Sequence, residues 1–230
     1  MDNSSNIRIF STWSKIYDIF FGSKFINKQR KIAIELLAVK PGDKVLLIGI
    51  GTGEDLRFLP ERVKVVGVDI TEKMLLIAKQ KAEILGMKDY EILNMDGQNL
   101  KMEDNTFDAV ILNMILAVIP DGNQCLQEAH RVLKPSGRIV VFDKFLQENK
   151  GENIFRILLN KITERLGTDI NRRFSDIMGD VELEVIEDRK SIFGGMYRII
   201  LLGKRLASGS IGCVEKWREN KHKSIKVHKN

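Results

Sequence analysis

Three closely spaced glycines and an aspartate further along the chain are the residues whose types and spacing most clearly predict chemistry. Gly49, Gly51 and Gly53 alternate with other residues after an apolar run, and Asp69 ends the next apolar run. Glycines let the backbone turn sharply and come close to a ligand. A carboxylate at the tip of the second strand can accept hydrogen bonds from both hydroxyls of a ribose. The pattern predicts a nucleoside-binding site; the alternative is a tight turn that binds nothing.

The spacing of the glycines separates two cofactor classes. A dinucleotide fingerprint, G-x-G-x-x-G, would place its third glycine at position 54, where this chain has Glu54. A negative side chain at the start of a helix would also repel a pyrophosphate that seeks the helix N-terminus. A ligand with a ribose and a cationic or zwitterionic group suits the site better. We therefore predict S-adenosylmethionine as the cofactor, and S-adenosylhomocysteine as its product, rather than NAD.

The elements that must position these residues alternate between apolar strands and amphipathic helices. Strands are predicted over 44–49, 63–69, 90–95, 107–112, 138–142, 181–186 and 196–202. Helices are predicted over 27–39, 72–85, 122–133, 151–166 and 171–178, with a short helix after Gly53. This alternation predicts an α/β fold with a mostly parallel seven-stranded sheet. The last two strands are joined through Gly194-Gly195, so they predict an antiparallel hairpin at one edge.

The net charge of the chain is concentrated at its end. The 230 residues carry a formal charge of +6, and the Lys, Arg and Glu residues of 204–230 alone sum to that value. This tail is predicted to be flexible and could attract anionic lipid or RNA, or simply aid solubility. The chain starts without a signal-peptide pattern, and Cys125 and Cys213 lack metal-ligand spacing. We predict a protein without a metal site that is cytoplasmic, either free or at a membrane surface.

The order of these motifs resembles the class I S-adenosylmethionine-dependent methyltransferases, which implies their Rossmann-like fold for residues 10–203. The resemblance is carried by VLLIGIGTG, VVGVDITEKML, NMDGQNL, NTFDAVILNMIL and EAHRVLKPSGRIVVFD. Two further features, WSKIYDIFFGS and FDKFL with LGTDINRRF, are similar to the bacterial phosphatidylethanolamine N-methyltransferases. That group is close to the menaquinone and ubiquinone methyltransferases. The superfamily usually has an acid late in its first strand, and this chain has Leu47 there.

The resemblance assigns further contacts with the cofactor. It implies that Asp96 accepts a hydrogen bond from the adenine amine and that the Gly97 or Gln98 amide meets a ring nitrogen, although Asp-Gly is also a common turn. Ile70, beside Asp69, joins the predicted cofactor-binding residues. Asn113 ends the fourth strand, where open α/β sheets place ligand groups, and its carbonyl could bind the methionine ammonium. The alternative is that Asn113 only caps the next turn.

An aromatic segment precedes the predicted domain. Phe10, Trp13, Tyr17 and Phe20 recur at helical spacing. The resemblance places Tyr17 over the cofactor pocket, where its hydroxyl could hold the cofactor carboxylate and contribute to catalysis. We predict that residues 1–26 form a lid over a domain of residues 27–203. The alternatives are packing against the edge of the sheet and insertion into a membrane interface.

Methyl transfer depends more on the placement of the nucleophile than on a particular catalytic side chain. An amine acceptor must be neutral, and a nearby acid or tyrosine can receive its proton. Asp143, just beyond the fifth strand, is therefore the second predicted catalytic residue, and Lys144 could meet a phosphate or carboxylate. Both could also be ordinary strand-end charges. No histidine lies in the predicted catalytic regions.

These features predict a methyltransferase that N-methylates an amine of a phospholipid headgroup or of a related small molecule. The alternatives within the class are carbon or oxygen methylation of a quinone-like ring, and RNA methylation. The fourth strand ends in Asn113-Met114-Ile115-Leu116, without the Asp/Asn-Pro-Pro-aromatic motif of methylases that act on nucleic-acid amines. Nucleic acid is therefore the less favoured partner. A cofactor-binding protein without activity is a further alternative, and Leu47 is its only support.

Overall fold

The computed structural model describes residues 2–9, 11, 24–147 and 168–205. The four aromatic residues on which the lid prediction rests, Tyr17 among them, lie outside these ranges. The helix predicted over 151–166 and residues 206–230 of the basic tail also lie outside them. The lid and the flexible tail therefore stay predictions.

The described residues form a seven-stranded sheet. Its strands are β1 (Lys44–Ile48), β2 (Lys64–Asp69), β3 (Tyr90–Asn94), β4 (Phe107–Asn113), β5 (Leu133–Lys144), β6 (Leu183–Lys190) and β7 (Tyr197–Lys204). They lie in the order β3-β2-β1-β4-β5-β7-β6. Strands β1 to β5 pair in parallel, whereas β7 is antiparallel to both β5 and β6. The predicted parallel sheet with an antiparallel edge hairpin is confirmed.

Helices cover both faces of this sheet. They are α1 (3–9), α2 (Lys24–Leu37), α3 (Glu72–Ile84), α4 (Gly122–Val132) and α5 (Phe174–Met178), and a 3-10 turn spans Leu56–Phe58. Helices α2 and α3 pack on one face, and α4 and α5 pack on the other. Within the described ranges, no helix has both the length and the apolar character that crossing a membrane requires.

Side-chain alternation along the strands divides the core between the two faces. In β1, Val45 and Leu47 pack in the cluster under α2 and α3, whereas Leu46 and Ile48 pack in the cluster under α4 and α5. Side chains of a strand alternate in this way because the period of a strand is two residues. Since both faces are covered, polar groups that bind ligands collect at the carboxyl ends of the parallel strands.

Several predicted boundaries are wrong at the ends of elements. Strand β5 spans Leu133–Lys144 rather than 138–142, and its pairing with β4 shifts register between Phe107 and Ala109. Strand β6 spans Leu183–Lys190 rather than 181–186, and α5 is shorter than the helix predicted over 171–178. These ends depend on pairing and packing with distant segments, which local propensity does not report.

Candidate active site

A pocket of about 600 Å³, its open mouth included, lies at the carboxyl ends of β1, β2 and β4. Six of the predicted cofactor-binding residues line it: Gly49, Gly51, Asp69, Ile70, Asp96 and Gly97. The β4–α4 loop, defined as residues 114–120, and two asparagines of α1 supply further walls. The fold therefore brings together residues that are far apart in the sequence, as the prediction requires. Gly53, Asn113 and Asp143 do not line this pocket.

The glycine turn between β1 and the 3-10 turn uses a backbone conformation that favours glycine. The φ angles of Gly49, Gly51 and Gly53 are 71°, 54° and 80°. A Cβ atom on Gly53 would lie 3.1 Å from the Ala78 Cα atom, so this glycine allows α3 to pack closely. A Cβ atom on Gly51 would meet only the Met74 Sδ atom, at 3.8 Å. Gly51 is therefore the position of the turn that leaves room for a ligand.

Asp69 joins the end of β2 to the glycine turn. Its Oδ2 atom accepts a hydrogen bond from the Gly51 amide, and its Oδ1 atom accepts one from the Thr71 amide, both at 2.9 Å. Burial raises the pKa of Asp69, and the hydrogen bonds from Thr71 and Gly51 partly offset this rise. A carboxylate has about four lone-pair sites, so each oxygen can accept a second hydrogen bond. The geometry leaves Asp69 able to meet a diol while it holds the turn.

Asp96 follows β3 and is already hydrogen-bonded within the protein. The Gln98 amide donates to its Oδ1 atom at 2.9 Å, and the Asn3 side chain donates to its Oδ2 atom at 2.7 Å. Gly97, next to it, packs so tightly that a Cβ atom there would lie 2.5 Å from Ile48 Cγ2. Asp96 is thus oriented at the pocket wall, and an adenine amine would share or replace the contact with Asn3.

Two residues of the site, Asn3 and Asn6, were not predicted from the sequence. Both lie on α1 and line the pocket, and Asn6 donates to the Val118 carbonyl at 2.7 Å. Their side-chain oxygens are buried and have no hydrogen-bond partner. The available signal was their spacing of three residues, which puts two amides on one side of a helix.

Asn113, at the end of β4, is part of a buried charged network. Its Nδ2 atom donates to Asp55 Oδ1 at 2.9 Å, and Asp55 Oδ2 pairs with Arg30 of α2 at 2.8 Å. All three residues are buried, and the Asn113 Oδ1 atom has no hydrogen-bond partner. Because Asn113 does not line the pocket, its contact with the methionine ammonium stays a prediction.

Glu54 does not have the effect that was expected from its charge. Its carboxylate is buried and forms ion pairs with Lys81 of α3 and, at 2.5 Å, with Arg57. A carboxylate neutralised on two sides repels a phosphate far less than a free one would. The electrostatic argument against a dinucleotide is therefore wrong, and the choice against NAD rests on the missing third glycine.

Asp143 is enclosed by the protein. The side chain is fully buried; its Oδ2 atom accepts from the Ala117 amide at 2.9 Å, and its Oδ1 atom accepts from the Lys144 amide at 2.8 Å. Burial raises the pKa of this carboxyl, and the Lys144 charge partly offsets the rise. These contacts do not support the predicted catalytic contact with an amine. We assign Asp143 instead to positioning the β4–α4 loop.

Arg172 holds the same loop through the loop's carbonyl groups. Its guanidinium donates to the carbonyls of Leu116 and Ile119, at 2.9 and 2.5 Å, and to that of Pro120 at 3.0 Å. Three carbonyls of one loop are thus satisfied by one side chain, whose fork of donors suits such an arrangement. The LGTDINRRF segment therefore has a structural use, which is to fix a wall of the pocket.

Comparisons with known proteins agree with this geometry. Residues 46–141 match the family described as methyltransferase domain. A relative from Cereibacter sphaeroides, named phosphatidylethanolamine N-methyltransferase, is 29% identical over 199 residues, which are 86% of this chain and 97% of the relative. A relative from Bacillus cereus, named demethylmenaquinone methyltransferase, is 36% identical over 155 residues, which are 62% of this chain and 65% of the relative. The protein is an S-adenosylmethionine-dependent methyltransferase.

Solved structures share the fold of this methyltransferase. One, described as a possible histamine N-methyltransferase from Thermotoga maritima, superimposes with a TM-score of 0.64 at 20% identity, covering 86% of this chain and 99% of the other. Another, a SAM-dependent methyltransferase from Aquifex aeolicus, has a TM-score of 0.60 at 22% identity and covers 84% and 97%. At this level of identity the likeness shows the Rossmann-like fold alone.

The pocket of the methyltransferase fits S-adenosylmethionine. Gly51 leaves space for the ligand, and Asp69 offers acceptors for ribose hydroxyls. Asp96 supplies an acceptor at the side of the pocket predicted to receive adenine. In the part of the chain that the structure describes, no group of His, Cys, Asp and Glu is arranged to hold a metal ion.

Proposed function

We propose that the methyltransferase acts on the amine nitrogen of a phospholipid headgroup or of a related small molecule. The observation that carries this proposal is the extent of one alignment. The relative named phosphatidylethanolamine N-methyltransferase aligns over 86% of this chain and 97% of its own length, including segments on both sides of the methyltransferase domain. Segments outside the cofactor-binding motifs are where acceptor recognition differs between methyltransferases that share one fold.

The chemistry asks for positioning rather than for a strong base. When bound, S-adenosylmethionine supplies a methyl group already activated by a positively charged sulfur. The protein must then hold a neutral amine in line with that group, and rigid placement alone can contribute much of the rate. Asp143 and Arg172 both hold the β4–α4 loop by hydrogen bonds. Tyr17 remains the predicted group for receiving the amine proton.

A carbon or oxygen atom of a quinone-like ring is the second candidate acceptor. It is favoured by the 36% identity with the relative named demethylmenaquinone methyltransferase, which is higher than the 29% of the lipid-amine relative. That alignment, however, covers only 62% of this chain. The 36% identity therefore reflects the shared cofactor-binding part more than the remainder of the chain.

A methyl-transfer assay separates the candidate acceptors. The full chain is incubated with S-adenosylmethionine labelled in its methyl group and, in parallel, with phosphatidylethanolamine vesicles, phosphatidylcholine vesicles, a demethylated naphthoquinol and RNA. We expect labelled N-methylated lipid from the first arm and no label in the second, whose headgroup nitrogen has no free valence. A Gly51→Val protein, which cannot accept the cofactor, is the background control. Label in the quinol or in RNA, with none in the amine lipid, would overturn the proposal.

A further inference from the structure

Lys144 is a buried lysine that none of the described residues neutralises by an ion pair. It is the last residue of β5, only 7% exposed, and lies at the carboxyl edge of the sheet where ligands bind. Within the described residues, the Lys144 amine forms no ion pair and no hydrogen bond. The hydrogen bond between Lys144 and Asp143 is donated by the Lys144 backbone amide and not by its side chain. An unpaired buried charge is costly, so natural proteins keep one mainly where a ligand uses it.

The charges around Lys144 are already committed elsewhere. The Asp143 side chain lies on the opposite face of β5 and accepts from the Ala117 and Lys144 amides. On the same face as Lys144, the Asp55 carboxylate is paired with Arg30 at 2.8 Å. Burial consequently lowers the pKa of the Lys144 amine, and the nearby charge of Asp143 only partly offsets this fall.

Lys144 also lies close to Asn113, the residue predicted to bind the methionine end of the cofactor. Asn113 pairs with Phe142 across the β4–β5 ladder, and Lys144 is two residues beyond Phe142 on the same face. Strand spacing and rise put the Cα atoms of Asn113 and Lys144 about 8 Å apart. Tyr197, opposite Lys144 on β7, packs its ring 5.6 Å from that of Phe142 and forms an apolar floor. An acceptor held at Lys144 would therefore reach back towards Asn113.

We propose that Lys144 binds a phosphate group of the methyl acceptor and thereby places a neighbouring amine for methylation. The inference rests on the proposed function and deepens it. In an ethanolamine phosphodiester, two carbon atoms separate the nitrogen from the phosphate ester oxygen, so one buried cation can anchor the phosphate while the nitrogen points to the cofactor. A charge-assisted hydrogen bond would satisfy the ammonium and the phosphate together. A quinone-like ring offers no such anion.

Binding of soluble headgroups tests this role without requiring turnover. Calorimetry is done on the full chain saturated with S-adenosylhomocysteine. The probes are glycerophosphocholine, which has the phosphate but no methylatable nitrogen, and ethanolamine, which has the nitrogen but no phosphate. We expect Lys144→Met to weaken glycerophosphocholine binding about 10- to 100-fold and Lys144→Arg to retain most of it. Ethanolamine and S-adenosylhomocysteine should bind both variants as they bind the original protein.

Each outcome decides between the proposals. Unchanged glycerophosphocholine binding in Lys144→Met, or no binding to the original protein, overturns the phosphate role. A fall in S-adenosylhomocysteine affinity as well would make Lys144 a structural residue and also overturn it. If the phosphate role is confirmed but amine lipid is not methylated, the function proposal alone fails. If Lys144→Met and the original protein methylate phosphatidylethanolamine vesicles with equal KM, the inference about Lys144 fails and the proposed function stands. Lys144→Gln, with a polar uncharged side chain, repeats the test if the Met variant does not fold.

Discussion

Replacing Asp69 should affect both the fold and the cofactor, and the two effects can be measured separately. In Asp69→Ala, the amides of Gly51 and Thr71 each lose an acceptor that now lies 2.9 Å away. Leaving a buried donor unsatisfied costs about 1–3 kcal/mol for each group. The free energy of unfolding should therefore fall by about 2–6 kcal/mol, less where water reaches the vacated site.

The loss of cofactor affinity comes from different hydrogen bonds. Asp69 is predicted to accept from the ribose hydroxyls with the lone pairs that the two amides leave free. Hydrogen bonds to a charged group contribute about 1.5–3 kcal/mol, which corresponds to a Kd about 10- to 150-fold higher. Asp69→Asn keeps the size of the side chain and one acceptor oxygen, so it should fold better than the Ala variant and still bind weakly.

The assay is calorimetric titration with S-adenosylhomocysteine, with thermal unfolding on the same samples. Asp108→Ala is the matched control, because Asp108 also accepts from a backbone amide, that of Lys44 at 2.9 Å, but does so at the amino end of β1. It should lower Tm and leave Kd unchanged. If folded Asp69→Asn protein binds S-adenosylhomocysteine as tightly as the original protein does, the assignment of Asp69 to the ribose is refuted.

Three further predictions concern the turn, the loop and the buried lysine. Gly51→Ala should fold yet raise the Kd for S-adenosylhomocysteine. Gly53→Ala should mainly lower Tm, because the added Cβ at Gly53, unlike that at Gly51, would press on α3. The reverse pattern in calorimetry and thermal unfolding would contradict this. Arg172→Ala removes the donor of three loop carbonyls. The free energy of unfolding in urea should therefore fall by about 1–3 kcal/mol, and amide exchange in the β4–α4 loop should become faster. Unchanged exchange would contradict this. Because burial lowers the pKa of Lys144, its cost to folding is absent above the ordinary value of 10.5, grows as the pH falls from 10.5 towards the folded pKa, and is constant below the folded pKa. Lys144→Met should therefore resist urea better than the original protein at pH 7, and that advantage should shrink as the pH approaches 10.5; equal resistance at both pH values would contradict this.

The glycine turn and Asp69 could be predicted from the sequence because their signals are local. Positive φ angles at Gly49, Gly51 and Gly53 are a property that glycine supplies on its own. Asp69 comes at the end of a strand, and the parallel order of the strands then puts it at the ligand edge. The number and pairing of the strands followed from the same alternation of apolar runs, whereas the ends of β5 and β6 did not.

The sequence by itself determined the fold class and the cofactor, and it predicted the edge of the sheet where the pocket lies, because strand periodicity and glycine conformation act over a few residues. Only the tertiary structure decided which side chains meet there. Asn3 and Asp96 are 93 positions apart, and Asp143 and Ala117 are 26 apart, so no local pattern connects them. An acid at a strand end looks the same in sequence whether solvent or backbone amides surround it. Burial and hydrogen bonding, which exist only after folding, made Asp69 a wall of the pocket and enclosed Asp143 as a support for the loop.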